Sequence, residues 1–294
     1  MSVSSRARPL RSVSDTALLV AYHRAVETKR PDAHFHDEFA VRLSEGRGEE
    51  IARKMPWGRR MAWSTVVRTV LFDDLILRLV SLGADTVINL AAGLDARPYR
   101  MRLPSALKWV EVDLPDVLAY KEEVLGDAKP SCSVERVALD LADAGARREL
   151  FASLAGRASR VMILTEGLLI YLAPEEVAAL AKDLAAQPSI QRWAVDLASP
   201  RLLEMLRKKG HEHLAEGGAT LKFGPAEGTA FFAPYGWSPR SVGSMLKTAA
   251  KLKRLPFFLR LLSLLPENGA TRRNRPWGGA CLLGRNGKAS AQSH

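Results

Sequence analysis

Thr86-Val87-Ile88-Asn89-Leu90-Ala91-Ala92-Gly93-Leu94-Asp95-Ala96-Arg97 decides the fold. A short β-rich run, Thr86 to Leu90, empties into small residues. That is how a buried strand hands over to a ligand-facing turn in an open α/β sheet. Only Gly93 occupies a glycine position of the dinucleotide fingerprint, and Ala91 stands where the first glycine would be. The loop offers little cradle for a pyrophosphate and points to a nucleoside ligand without phosphates.

The flanking sequence repeats the pattern. Lys108 to Asp113, Val134 to Leu139, Val161 to Leu164 and Arg192 to Leu197 read as further strands. Helical periodicity separates them at Pro115 to Leu125, Ala144 to Leu154 and Pro174 to Ala186. Strands alternating with helices give βαβ units and a mostly parallel sheet. Thr16 to Thr28, Asp37 to Leu43 and Met61 to Leu82 read as helices before the first strand, the last closed by Gly83. Thr229 to Phe232 and Gly279 to Leu283 are read as the last two of seven strands, with a helix from Pro239 to Lys251 between them. Leu255 to Leu265 reads as a short apolar helix.

The 294 residues are expected to form a flexible arm at 1–14, one domain at 15–285 with a helical cap at about 199–228, and a flexible tail at 286–294. The opening MSVSSRARPLRSVSD is polar and basic and does not read as a secretory leader. No apolar run is long enough for a membrane span, so no stable insertion is expected. Two cysteines far apart, Cys132 and Cys281, suit a reducing, cytoplasmic setting. The net charge of +11 favours an anionic small-molecule partner through long-range attraction. The basic residues are dispersed rather than interleaved with aromatics, which speaks against nucleic acid. The oligomeric state is not legible.

The chemistry is carried by acids at successive strand ends. Asp113 ends the second strand, twenty residues after Gly93, where a carboxylate accepts from ribose hydroxyls. Asp140 with Leu141 follows the third strand and suits an adenine edge. Glu166 follows the fourth. Arg68, in the helix before the first strand, is a fork for a ligand carboxylate. His34, His36, His211 and His213 fall in pairs two residues apart, which do not face each other on a helix, so no metal site is expected. No G-x-S-x-G elbow of a hydrolase occurs.

Taken together, NLAAGLDARPYR (Asn89 to Arg100), EVDLP (Glu111 to Pro115), DL (Asp140-Leu141) and TEGLLIYL (Thr165 to Leu172) resemble, in order, the motifs of the leucine carboxyl methyltransferase family, bacterial branch. AYHRAVETKRPDAHFHD and RTVLFDDLI resemble its entry elements, and the similarity spans roughly residues 15 to 285. The resemblance implies a Rossmann-like class I methyltransferase that uses S-adenosyl-L-methionine. By it, Arg68 holds the cofactor's carboxylate and Gly93 its methionine portion. Asp113 takes the ribose, Asp140 and Leu141 the adenine, and Glu166 the amino group or the floor of the site. Ala91 and Leu114 belong to the same cofactor-binding set. The family pattern usually has glycine and threonine where this chain has Ala91 and Ala96.

Methyl transfer from a sulfonium asks mainly for alignment. A carboxylate acceptor, already ionised at neutral pH, needs no base, whereas a phenol profits from one. His23 is the one histidine placed for that role, and not clearly so. The reading is therefore an O-methyltransferase of a small carboxylate. A phenol, amine or thiol methyltransferase and a catalytically silent adenosyl-binding partner protein remain alternatives. Tyr22, Arg24 and Tyr171 are the substrate-side candidates.

Overall fold

A computed structural model describes residues 15–54, 62–216, 220–267 and 274–286. Three helices open it: α1 (Asp15–Thr28), α2 (Glu38–Ser44) and α3 (Arg47–Lys54). A long helix, α4 (Ala62–Ser81), leads into β1 (Thr86–Leu90). The short helix α5 (Arg97–Arg100) precedes β2 (Lys108–Asp113). Then follow α6 (Pro115–Leu125), β3 (Ser133–Ala138), α7 (Ala144–Gly156), β4 (Val161–Thr165), α8 (Pro174–Ala185) and β5 (Ile190–Ala198). The last elements are α9 (Pro200–Glu216), β6 (Trp237–Ser244), α10 (Met245–Lys251), the single turn α11 (Arg260–Ser263) and β7 (Gly278–Arg285).

The seven strands lie in the order β3-β2-β1-β4-β5-β7-β6. The first five run parallel, and β7 is antiparallel to both its neighbours. Every residue of β1 and of β4 is buried, as expected for central strands covered on both faces. Alternate residues feed two cores. Ile88 and Leu90 join Phe151, Leu180 and Trp193 on one face. Val87 joins Phe72, Ile76 and Trp109 on the other. A third cluster brings Leu18, Ala21 and Leu43 of the opening helices onto Leu94 and Ala96. The N-terminal helices thus roof the turn after β1.

The expected Rossmann-like sheet is present, with two corrections near its end. The segment expected as strand Thr229–Phe232 is a 3₁₀ helix, Gly228–Tyr235. The strand follows it, and the helix expected from Pro239 begins only at Met245. The Phe231–Phe232 pair looks like strand interior but fills an aromatic cluster instead. Phe232 lies 5.2 Å from Trp193, Trp237 lies 5.6 Å from Trp193, and Phe231 lies 4.9 Å from Phe223. Pro239 is tolerated because β6 is an edge strand whose register shifts there. Leu255 to Leu265 breaks into single turns rather than one helix.

The cap segment is helical at Pro200–Glu216. It is tied down where Lys222 and Phe223 donate to the Ile170 carbonyl at 2.7 and 3.1 Å. The expected arm at 1–14 and the tail beyond Asn286 lie outside the described residues.

Candidate active site

Sheet order fixes where a ligand can sit. From β1 the chain steps outward to β2 and β3, then returns to β4 and steps the other way. In open α/β sheets the ligand crevice lies at such a reversal, beyond the carboxyl ends of the strands, here β1 and β4. The turn after β1 is shaped for close approach. Ala91 and Gly93 both take left-handed backbone, with φ of 54° and 50°. For Gly93 this is easy; for Ala91 it stores roughly 1–2 kcal/mol. A methyl built on Gly93 would meet nothing nearer than Ala17 and the Ala91 carbonyl, both at 4.0 Å.

Asp113 closes one side of this turn. Its Oδ2 accepts from the Gly93 N–H at 2.6 Å and its Oδ1 from the Leu114 N–H at 2.7 Å. Burial raises its pKa, and the two backbone donors work against that rise. Asp140 stands further out, beyond β3. It is exposed, and its Oδ1 accepts from the Ala142 N–H at 2.9 Å. The carbonyl of Leu141 accepts from Arg147 at 2.7 Å.

The other side carries charge. Arg68 donates to Glu166 Oε1 at 3.0 Å and to Asp196 Oδ2 at 3.1 Å. It lies against Gly167, which is in left-handed backbone. Asp196 also accepts from the Gly167 N–H at 2.8 Å, and burial raises its pKa against the pull of Arg68. Glu166 Oε2 lies 2.8 Å from Arg97 Nη1, yet it is buried without a hydrogen-bond donor in proper geometry. Arg97 further pairs with Asp73 and Asp95, each at 2.7 Å. Burial works to raise the Asp95 pKa; Arg97, Lys121, Arg24 and Arg100 override it and hold the carboxyl below the usual carboxylate range. Asn89 donates to the same carboxylate at 2.9 Å, so the β1 terminus is locked to this chain of alternating charges.

The helix α1 overlooks the crevice with mixed consequences for the expected substrate contacts. Arg24 is buried, donating to Asp37 at 2.9 Å and to the Leu94 carbonyl at 2.5 Å. It braces the turn after β1 rather than facing an acceptor. Tyr22 is half-buried, with its ring centroid 6.3 Å from that of His23. His23 Nδ1 lies 3.1 Å from Thr65 Oγ1, and its Nε2 is buried without a partner. Burial and the nearby Arg68 charge lower its pKa to about 4. Tyr171 is half-buried beside this group; burial raises its pKa, and Arg68 and a hydrogen bond to Thr16 oppose the rise.

Structure therefore brings Arg68 and Glu166 together after β4, and Asp113 together with Gly93 and Leu114 beside Ala91 at the turn after β1, while Asp140 and Leu141 stand beyond β3. Sequence reading missed Asp196 and Arg97. Asp196 sits inside a strand otherwise apolar near its end, and a charge buried at a strand's carboxyl terminus was the available signal. Arg97 gave little, because only Asp95 is its neighbour in sequence, and Asp73 and Glu166 come from separate segments.

The fold is that of a class I methyltransferase. Two solved structures share the fold: a DUF574 family protein from Streptomyces avermitilis, and a protein from Thermobifida fusca provisionally described as a methyltransferase. They have TM-scores of 0.58 and 0.58 at 12% and 15% identity. They cover 92% and 97% of this chain, and 97% and 100% of their own. The leucine carboxyl methyltransferase family model matches residues 17–185. A Parafrankia protein provisionally named as an S-adenosyl-L-methionine-dependent methyltransferase is 34% identical over 257 residues, 82% of each chain. One from Mycobacterium tuberculosis with the same provisional name is 34% identical over 192 residues, 60% of this chain and 61% of its own. The chain belongs to the leucine carboxyl methyltransferase family.

Proposed function

We propose that this protein transfers a methyl group from S-adenosyl-L-methionine to the carboxylate oxygen of a small anionic acceptor. The cofactor supplies an electrophilic methyl on a sulfonium. Three features of the chain fit it. Nothing crowds the space above Gly93. The half-buried Asp113 is pinned by two backbone N–H groups and keeps lone pairs for ribose hydroxyls. Glu166 Oε2 is a buried carboxylate oxygen that Arg97 approaches at 2.8 Å without a well-aligned hydrogen bond, which leaves it free to accept from an ammonium group. Arg68, between Glu166 and Asp196, is the cation for the cofactor's carboxylate. Asp140 and Leu141 serve the adenine end.

The observation that favours a carboxylate acceptor is the state of His23. Its Nδ1 lies within hydrogen-bond reach of Thr65 and its pKa is lowered to about 4, so it is a feeble base for a phenol of pKa about 10. A carboxylate arrives ionised and needs only to be aligned. Tyr22 and Tyr171 flank the acceptor side.

Calorimetry with the cofactor and labelled-methyl transfer to carboxylic acids and phenols test this reading. Wild type is expected to bind the cofactor, and Asp113→Asn to bind it about tenfold or more weakly, the value of one charge-assisted hydrogen bond. The product is expected to be an ester that releases methanol in mild alkali. An alkali-stable ether formed only from phenols would refute the carboxylate acceptor. Unchanged affinity in Asp113→Asn would refute the ribose contact.

A further inference from the structure

Beyond β6 the chain forms a projecting knob. The three most exposed large apolar side chains among the described residues sit together on it: Phe257 at 83%, Leu264 at 79% and Leu261 at 77%. Leu262 and Leu265 are exposed in the same segment. Its base is firmly held. Leu255 is buried with Val67 and Ala249. Arg254 pairs with Glu27 at 2.8 Å and Asp32 at 2.9 Å, and His34 Nε2 lies 2.7 Å from the Leu252 carbonyl. The tip is thus displayed by an anchored stem.

The segment that carries the tip is basic, and the acids at its borders are engaged: Glu267 accepts from Ser244 and Trp277, and Glu27 and Asp32 pair with Arg254. Between Met245 and Pro266 the sequence contains no Asp or Glu. Lys247, Lys251, Lys253 and Arg260 are all exposed there. Arg260 lies 5.7 Å from the Phe257 ring centroid, and Lys253, Arg260, Leu261 and Leu264 border one hollow.

We propose that this knob docks the protein onto an anionic phospholipid surface, with Phe257, Leu261 and Leu264 entering the acyl boundary and the cations facing the phosphates. Large apolar side chains ringed by Lys and Arg suit a bilayer interface, where both kinds of group find partners at adjacent depths. A protein interface is a poorer match, because lysine is depleted there. A two-fold contact with a second copy would press cation against cation. No helix among the described residues is long and apolar enough to cross a membrane, so the association is peripheral. The proposal is independent of the methyl acceptor. Val67 of the stem is next in sequence to Arg68, which puts the docked face one helix away from the crevice.

Co-sedimentation of the full chain with vesicles tests it. Wild type is expected to bind phosphatidylcholine vesicles containing about a third phosphatidylglycerol, to bind pure phosphatidylcholine far less, and to be released by high salt. Leu261→Asp with Leu264→Asp should weaken binding more than about tenfold. Lys251→Glu with Lys253→Glu should weaken it by roughly fivefold or more per cation. Both pairs alter exposed side chains, and an unchanged circular dichroism melt shows that they fold. Absence of wild-type binding, equal binding by the leucine pair, or a wild-type dimer that this pair dissolves without any vesicle binding would overturn the proposal.

Discussion

Two regions of the sheet solve the burial problem in opposite ways. At the β1–β4 reversal, Arg68, Arg97, Glu166, Asp95 and Asp196 are packed together as alternating charges. At the β5–β7–β6 end, Trp193, Phe223, Phe232 and Trp237 make a dry cluster whose two indole N–H groups are satisfied by Thr165 Oγ1 at 2.9 Å and the Ala181 carbonyl at 3.0 Å. The first arrangement is expensive to maintain, since each ion loses its water and holds only while its partners stay. The second gains from area alone. A fold meant only to be stable would use the second everywhere. The charged region is where we place the proposed ligand chemistry.

The sharpest way to break the contrast is Arg97→Met. It strips Asp73, Asp95 and Glu166 of a shared cation whose side chain is 4% exposed. A loss of about 3–5 kcal/mol in denaturant unfolding is expected, together with loss of cofactor binding. Trp193→Ala should cost a similar or slightly smaller amount, about 3–4 kcal/mol, by opening a cavity. In contrast to Arg97→Met, it should leave the affinity of the folded fraction for cofactor nearly intact. Equal affinity losses in both would erase the distinction.

His23 sharpens it through pH. Its folded pKa, about 4, lies below the ordinary 6.5. The unfolded chain takes up a proton from about pH 6.5 downward while the folded chain does not until about pH 4. Stability should therefore fall as pH drops through that window, by up to about 3 kcal/mol from this group. His23→Gln should flatten the urea midpoint between pH 7.5 and 5. The smallest effect is expected for Ala91→Gly. Relief of the left-handed alanine, offset by the greater freedom of the unfolded glycine, predicts about 0.5–1 kcal/mol of stabilisation. Cofactor affinity measured on the same variant tells whether the Ala91 methyl crowds the site.

What could be read without coordinates followed short-range rules. Apolar runs gave β1 and β2 with their ends, and β4 except for its last residue, Thr165. Spacing placed Asp113 twenty residues beyond Gly93, across the turn whose N–H it accepts. Where local pattern and long-range packing disagreed, the pattern failed. Phe231-Phe232 has strand character, but a place against Trp193 and Trp237 lay within reach of a 3₁₀ turn and took it. Arg24 is a substrate-side candidate by sequence, and only the arrival of Asp37 and the Leu94 carbonyl makes it a brace.

By itself, then, the sequence determined the alternation of strands and helices, the turn proposed to receive the cofactor and the acids at the strand tips, because these depend on residues close together in the chain. Tertiary structure alone decided which charges meet: Arg68 with Asp196 across 128 positions, and Arg97 with Glu166. Ion pairing in a desolvated crevice depends on distances of a few ångströms between segments remote in sequence, and no local periodicity encodes those distances.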